Sequence, residues 1–182
     1  DSKILFKIDN TSLINTVFLF SFCLKEDNIK QYPLLTIYDE SSNINVIKLY
    51  INKSKEKASR LCIRQEKPSF HSKLCLIKKD ITNYITLIIR EEKIIVHLDK
   101  TYEIDNKIYK NENNIIQFGY DNRKQEYFKG LLGNLIILKG KEATKINWDI
   151  LLSKLFVSKD QNIIYSAIND TIYRFDYFKC FK

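Results

Sequence analysis

Two carboxylates two residues apart are the first candidates for chemistry: Glu103 and Asp105 in the stretch "EIDNK". On a strand they share one face, and a retaining glycosidase works with two carboxyls about 5 Å apart. The segment "YDNRKQE" offers Asp121, Asn122 and Glu126 as oxygen donors. Arg123 and Lys124 stand among them, and calcium takes about six to eight oxygens, so no metal site is expected. The two histidines are isolated: His97 falls on the polar face of a strand and His71 in a loop, both read as surface groups. Cys23, Cys62, Cys75 and Cys180 form no C-x-x-C pair, and no histidine stands at a ligand spacing from them. They read as free, buried thiols of a reducing compartment. No serine occupies a nucleophile motif and no glycine loop could cradle a phosphate. The sequence therefore predicts no catalytic residue, no metal and no cofactor.

Charge is the stronger signal. Between Lys53 and Lys79 nine Lys/Arg face two acids, most of the net charge of +8. Lys53, Lys55, Lys57, Arg60, Arg64 and Lys67 make a basic patch, the one candidate binding surface. Alternation puts Arg60, Cys62 and Arg64 on one face of a strand, with Ser59, Leu61 and Ile63 on the other. Such a patch attracts anionic lipid or an acidic protein surface. It also serves as a solvated sheet edge, where lysine prevents aggregation, and that is the reading the sequence favours. Nucleic acid is not expected, because no aromatic-rich basic platform accompanies the charges.

The elements that must position these residues are strands. Period-two alternation is clearest in "YITLIIRE" (Tyr84–Glu91) and "KIIVHLDK" (Lys93–Lys100), separated by a short polar turn. Similar runs lie at 4–8, 16–24, 34–39, 45–51, 59–65, 73–78, 114–119, 133–139, 162–168 and 171–178. They are rich in Ile, Tyr and Phe, as strands prefer. "VFLFSFCL" (Val17–Leu24) is far shorter than the roughly 20 residues a membrane span needs and reads as a buried strand. One segment reads as helix: "NWDILLSKLF", 147–156, spaces Trp148, Leu151, Leu152 and Leu155 on one face behind an Asn147 cap. A dozen strands with one short helix near 147–156 predict an all-β, two-sheet antiparallel sandwich spanning 1–182 as a single domain. Methionine is absent from all 182 residues, so the chain reads as a piece excised or processed from a longer protein.

All four glycines fall between Phe118 and Gly140. Gly119 ends one strand; Gly130 and Gly133 precede "NLIIL"; Gly140 closes that strand. Glycines in a strand pattern mark a bulge or a close backbone approach. "FKGLLGNLIIL", preceded by "IQFG" and followed by the predicted helix, resembles the closing segment of concanavalin A-like, jelly-roll domains of the laminin-G type. "NYITLIIREEKIIVHLDKTYEI" is similar to that family's central hairpin, with Tyr84 in the place of its usual Trp and Lys100 replacing a turn glycine. The resemblance covers residues 84 to 156. It implies that the first and last strands lie side by side. Glucanases of this superfamily carry Glu-x-Asp-x-x-Glu or Glu-x-Asp-x-Glu on a strand; here position 107 is lysine, so hydrolysis is not expected.

Laminin-G-like domains of this kind occur inside BEACH-family proteins of vesicle traffic. The expected function is accordingly a non-catalytic interaction module of a large intracellular scaffold. It would be cytoplasmic and peripheral to membranes, with an unidentified protein partner and at most weak contact with anionic lipid. The alternative is a glycan-binding, lectin-like domain of a secreted or lumenal protein.

Overall fold

A computed structural model of the protein describes residues 4–9, 13–25, 30–53, 58–107, 113–145, 172–175 and 178–179. Of 4–9, 113, 134, 142, 172–175 and 178–179 only the backbone is described. Two antiparallel sheets face each other. The six-stranded sheet runs in the order β1 (Ile4–Asp9), β10 (Asn113–Phe118), β3 (Gln31–Asp39), β4 (Ile44–Lys53), β5 (Ser59–Gln65), β6 (Phe70–Ile77). The other runs β14 (Ile172–Phe175), β13 (Gly130–Lys139), β2 (Thr16–Leu24), β7 (Thr82–Ile89), β8 (Lys93–His97), β9 (Thr101–Asp105), and β15 (Phe178–Lys179) also pairs with β13. A short hairpin of β11 (Tyr120–Asp121) and β12 (Glu126–Tyr127) stands apart, and α1 (Lys141–Lys145) follows β13. The expected all-β sandwich and the β7–β8 hairpin are both present, the latter in the register Ile89↔Ile94 to Thr86↔His97.

Alternation sets the core. Phe18, Phe20, Phe22 and Leu24 of β2 meet Ile37, Ile47, Leu49, Leu61 and Ile63 of the opposite sheet, all fully or almost fully buried. Phe20 packs edge-on against Phe118 with ring centroids 5.2 Å apart, and Phe22 against Phe128 at 6.0 Å. Such pairs add about 1 kcal/mol each to the area they bury.

The glycines have two distinct causes. Gly119 (φ 70°) and Gly140 (φ 120°) hold left-handed turns at strand ends. Gly130 and Gly133 are set by space. A Cβ at Gly130 would run into the carbonyl oxygen of Cys23, and one at Gly133 would lie 2.5 Å from Ser21 Oγ. Both face β2, just before the β13–β2 register shifts between Gly133 and Ile136, where the sequence suggested a bulge.

Three expectations change or lie outside the described residues. The first strand pairs with β10 in the six-stranded sheet and β14 pairs with β13 in the other, so the first and last strands are not neighbours. His71 stands in β6, which begins at Phe70, and not in a loop. The predicted helix at 147–156 and the strand at 162–168 lie outside the described residues, as does Cys180; the described helix, α1, precedes them.

Candidate functional site

The outward face of the six-stranded sheet is built from cross-strand rows. One row reads Gln117 (β10), Thr36 (β3), Lys48 (β4), Arg64 (β5), His71 (β6), each the register partner of the next. The adjacent row reads Tyr50, Cys62, Lys73, and the next Asn52, Arg60, Leu76. The sequence explains the placement: in β4 and β5 the intervening residues Ile47, Leu49, Ile51, Leu61 and Ile63 all belong to the core.

At one end this face is roofed by the β11–β12 hairpin. Lys48, in mid-strand and 3% exposed, puts its Nζ 2.5 Å from Asp121 Oδ2 and 3.0 Å from Glu126 Oε2. The ammonium thus occupies the space between the two acids that a calcium ion would have needed. Arg123 of the same hairpin pairs with Glu66 after β5, and Asn122 N donates to Gln117 Oε1 at 3.1 Å. Tyr120 and Tyr127 meet across the hairpin with ring centroids 4.6 Å apart and planes tilted by 36°. Every charge of this roof except Lys124 is matched by one beneath or beside it.

Beyond the roof the balance reverses. Arg60, Arg64 and Lys73 have no carboxylate partner among the described residues, and Arg64 and Lys73 are exposed. Between them lies a Tyr–His pair. Tyr50 on β4 reaches over the small side chain of Cys62 on β5, and its hydroxyl lies 3.0 Å from His71 Nε2 on β6. The rings are nearly parallel, with centroids 6.2 Å apart, and Lys48 Nζ sits 5.5 Å from the Tyr50 ring centre. Burial, then the charge of Cys62, pushes the Tyr50 phenol up to about 12. Burial, then the cations Lys73 and Arg64, holds His71 below its usual 6.5. At neutral pH the pair is therefore a protonated phenol beside a neutral imidazole. Environments that drive two titratable groups apart in this way suit one to give a proton and the other to take one.

Of the basic residues expected from the sequence, Arg60 and Arg64 lie on this face. Lys53 closes β4 opposite Ser59, and Lys67 stands exposed in the turn after β5. Lys55 and Lys57 lie outside the described residues. Glu103 and Asp105 sit on β9, the edge of the other sheet; Glu103 forms an exposed ion pair with Lys93 at 2.5 Å. His97 Nδ1 lies 2.8 Å from Thr101 Oγ1, also on that sheet. Sequence reasoning missed Lys48, Tyr50 and His71. Alternation of Phe70, Ser72 and Leu74 against His71 and Lys73 was a usable signal for β6. Nothing local could announce Tyr50 and His71 as neighbours, since a whole strand separates them. Cys23, Cys62 and Cys75 are buried and free.

The architecture is that of concanavalin A-like, jelly-roll sandwiches. Among solved structures, the chain is similar to an alginate lyase from Alteromonas sp. 272 (TM-score 0.50, 9% identity, 94% of this chain and 78% of that one). It is also similar to the enzymatically active domain of tailspike protein 2 from bacteriophage CBA120 (TM-score 0.56, 8% identity, 77% of this chain and 24% of that one). A third likeness is to domains LG4-5 of the mouse laminin alpha1 chain (TM-score 0.55, 11% identity, 75% of this chain and 38% of that one). No protein-family profile matches the chain, and no curated protein matches it in sequence.

The laminin likeness agrees with the resemblance seen in the sequence. The other two correct the functional expectation. Structures with this fold include an alginate lyase and a tailspike enzyme domain, so the reading as a non-catalytic scaffold module of vesicle traffic does not stand. The expectation that the chain is not an enzyme falls with it. That expectation rested on the missing third carboxylate at Lys107, which bears on hydrolysis by paired acids and not on other sugar chemistry. The BEACH-family origin has no support in these likenesses.

Proposed function

We propose that the outward face of the six-stranded sheet binds an acidic polysaccharide. The observation that carries this reading is the group Arg60, Arg64 and Lys73, three cations without carboxylate partners among the described residues, set around Tyr50 and His71. Guanidinium and ammonium groups beside aromatic rings are suited to carboxylated sugars, where the charge holds the carboxylate and the ring packs on the sugar. Lys67, exposed in the turn after β5, extends the positive track at the Arg64 end. Affinity electrophoresis through gels containing alginate, a polyuronate, tests the reading, with a neutral glucan as control. Retardation by alginate alone, weakened roughly tenfold in Arg64→Ala/Lys73→Ala and by added salt, is the expected result. Equal retardation by the neutral glucan, or binding to anionic vesicles with none to alginate, overturns it.

A second reading, cleavage of such a polymer by β-elimination, is favoured by the Tyr50–His71 pair. The neutral imidazole of His71 takes the proton next to the sugar carboxylate. The electrons form a carbon–carbon double bond as the glycosidic C–O bond breaks, and the Tyr50 phenol protonates the departing oxygen. The 3.0 Å link between the two side chains then returns the proton from imidazolium to phenolate. The nearby cations offset the charge that builds on the carboxylate. His71→Gln separates the readings: it retains binding and abolishes the ultraviolet absorbance of the unsaturated product. Absence of that absorbance from the parent protein with every polyuronate leaves binding alone.

A further inference from the structure

Four large apolar side chains stand exposed among the described residues, and three of them share one place: Leu76 (57% exposed), Ile81 (49%) and Tyr84 (38%). They line a depression of about 300 Å³ where the chain crosses from β6 to β7, together with Thr82, Asn83 and Asp99. We propose that this depression is a second sugar subsite, which holds a pyranose ring of the same polysaccharide by its C–H face. The proposal rests on the binding function above and adds where the polymer runs.

Continuity is the first argument. Leu76 is the register partner of Arg60 on the outward face of the six-stranded sheet, and it also forms a wall of the depression. The cationic face therefore leads into the depression along β6. The register partners of His71 and Leu76 on β5, Arg64 and Arg60, are four positions apart, about 13 Å at strand rise, so one ligand reaches both places only if it is an extended oligomer. The second argument is chemical. A pyranose presents a flat C–H face and a rim of hydroxyls, and the lining offers both complements. Tyr84, Leu76 and Ile81 supply apolar surface. Thr82, Asn83 and Asp99 supply hydrogen-bonding groups; Asn83 Nδ2 already donates to Ile81 O at 2.8 Å, which leaves its carbonyl oxygen as an acceptor. Sites with this mixture, mostly apolar with a few convergent polar groups, are typical of small-molecule recognition. Cross-strand pairing sets Tyr84 opposite Ser21 on the outward side of β7, away from Phe20 and Phe22, so replacing it leaves the core intact.

Titration calorimetry with alginate oligosaccharides of graded length tests this on Tyr84→Ala, Tyr84→Phe and Arg64→Ala/Lys73→Ala, each checked by its melting temperature. Tyr84→Ala should bind a disaccharide as the parent does and bind oligomers long enough to span both places roughly tenfold more weakly. Tyr84→Phe should keep the parent's affinity throughout. The subsite is overturned, with the binding function intact, if Tyr84→Ala binds long oligomers like the parent while Arg64→Ala/Lys73→Ala does not. An equal loss for disaccharide and long oligomers in Tyr84→Ala also overturns it. Failure of the parent to bind any of the oligomers removes both readings together.

Discussion

The two outward faces of this sandwich are made by strands of similar length from the same chain, yet they are opposites. On the six-stranded sheet the central row is Gln117, Thr36, Lys48, Arg64 and His71. On the seven-stranded sheet the corresponding row is Leu138, Val17, Ile88 and Ile95, every one buried although each points away from the core. Helix α1 packs on this second face against β2 and β13 through the fully buried Ala143. A sheet buried on both sides has no use for alternation, which is why β2 reads as the unbroken apolar run "VFLFSFCL". A sheet wet on one side keeps alternation and can carry function. The difference leaves structure to the buried rows of one face and most of the proposed recognition to the other.

The largest effect should come from forcing the apolar face to behave like the polar one. Leu19→Lys places an ammonium at a fully buried, outward-facing position of β2. It should cost about 5 kcal/mol in urea unfolding, whereas Lys at exposed positions of the other face should cost within about 0.5 kcal/mol. Little loss in Leu19→Lys would mean that the second face is open, and the contrast would fail.

The reverse exchange, Lys48→Met, keeps the bulk but strips the counter-charge from Asp121, which is fully buried, and from Glu126. A loss of about 3–5 kcal/mol is expected, with the β11–β12 hairpin becoming protease-sensitive first. Restoring stability by adding Asp121→Asn and Glu126→Gln would confirm that the cost is electrostatic. Unchanged stability in the single variant would show that the hairpin is held by other contacts.

Gly130→Ala probes the seam between β13 and β2. The new methyl meets the Cys23 carbonyl, a backbone atom that cannot swing aside, so about 3 kcal/mol is expected. Gly133→Ala should cost less, since Ser21 Oγ can rotate away; the order of the two melting temperatures checks this.

The smallest effect concerns His71. Its folded pKa lies below the ordinary 6.5, so between those two values the unfolded chain binds more protons than the folded one. Stability then rises with pH across that window and is lost as pH falls through it. His71→Gln should flatten this part of the pH–stability curve and leave the rest unchanged. An identical curve in the variant would separate His71 from the burial and cations that surround it.

Much of the sandwich was legible before any coordinates, because two-residue periodicity and glycine placement are local properties. β7 and β8 were located by their apolar runs and the polar turn between them, although consecutive residues of both are buried and the alternation read in them is incomplete, and Gly130 and Gly133 marked the bulged strand. The pairing of β1 was misjudged because sheet order depends on which strands meet, which no local pattern records. The site was half legible. Arg60 and Arg64 were visible as a basic stripe on β5, but Tyr50 and His71 meet only across that strand. Lys48 was passed over, since its burial depends on Asp121 and Glu126, more than seventy residues away in the chain.

Hydrogen exchange during titration with alginate oligosaccharide tests the division between the two faces most directly. The account predicts slower exchange in β4, β5 and β6, around Tyr50, Arg64 and His71, extending to the start of β7 at Tyr84. Protection confined to β2, β13 and α1, with the six-stranded sheet unchanged, would contradict it.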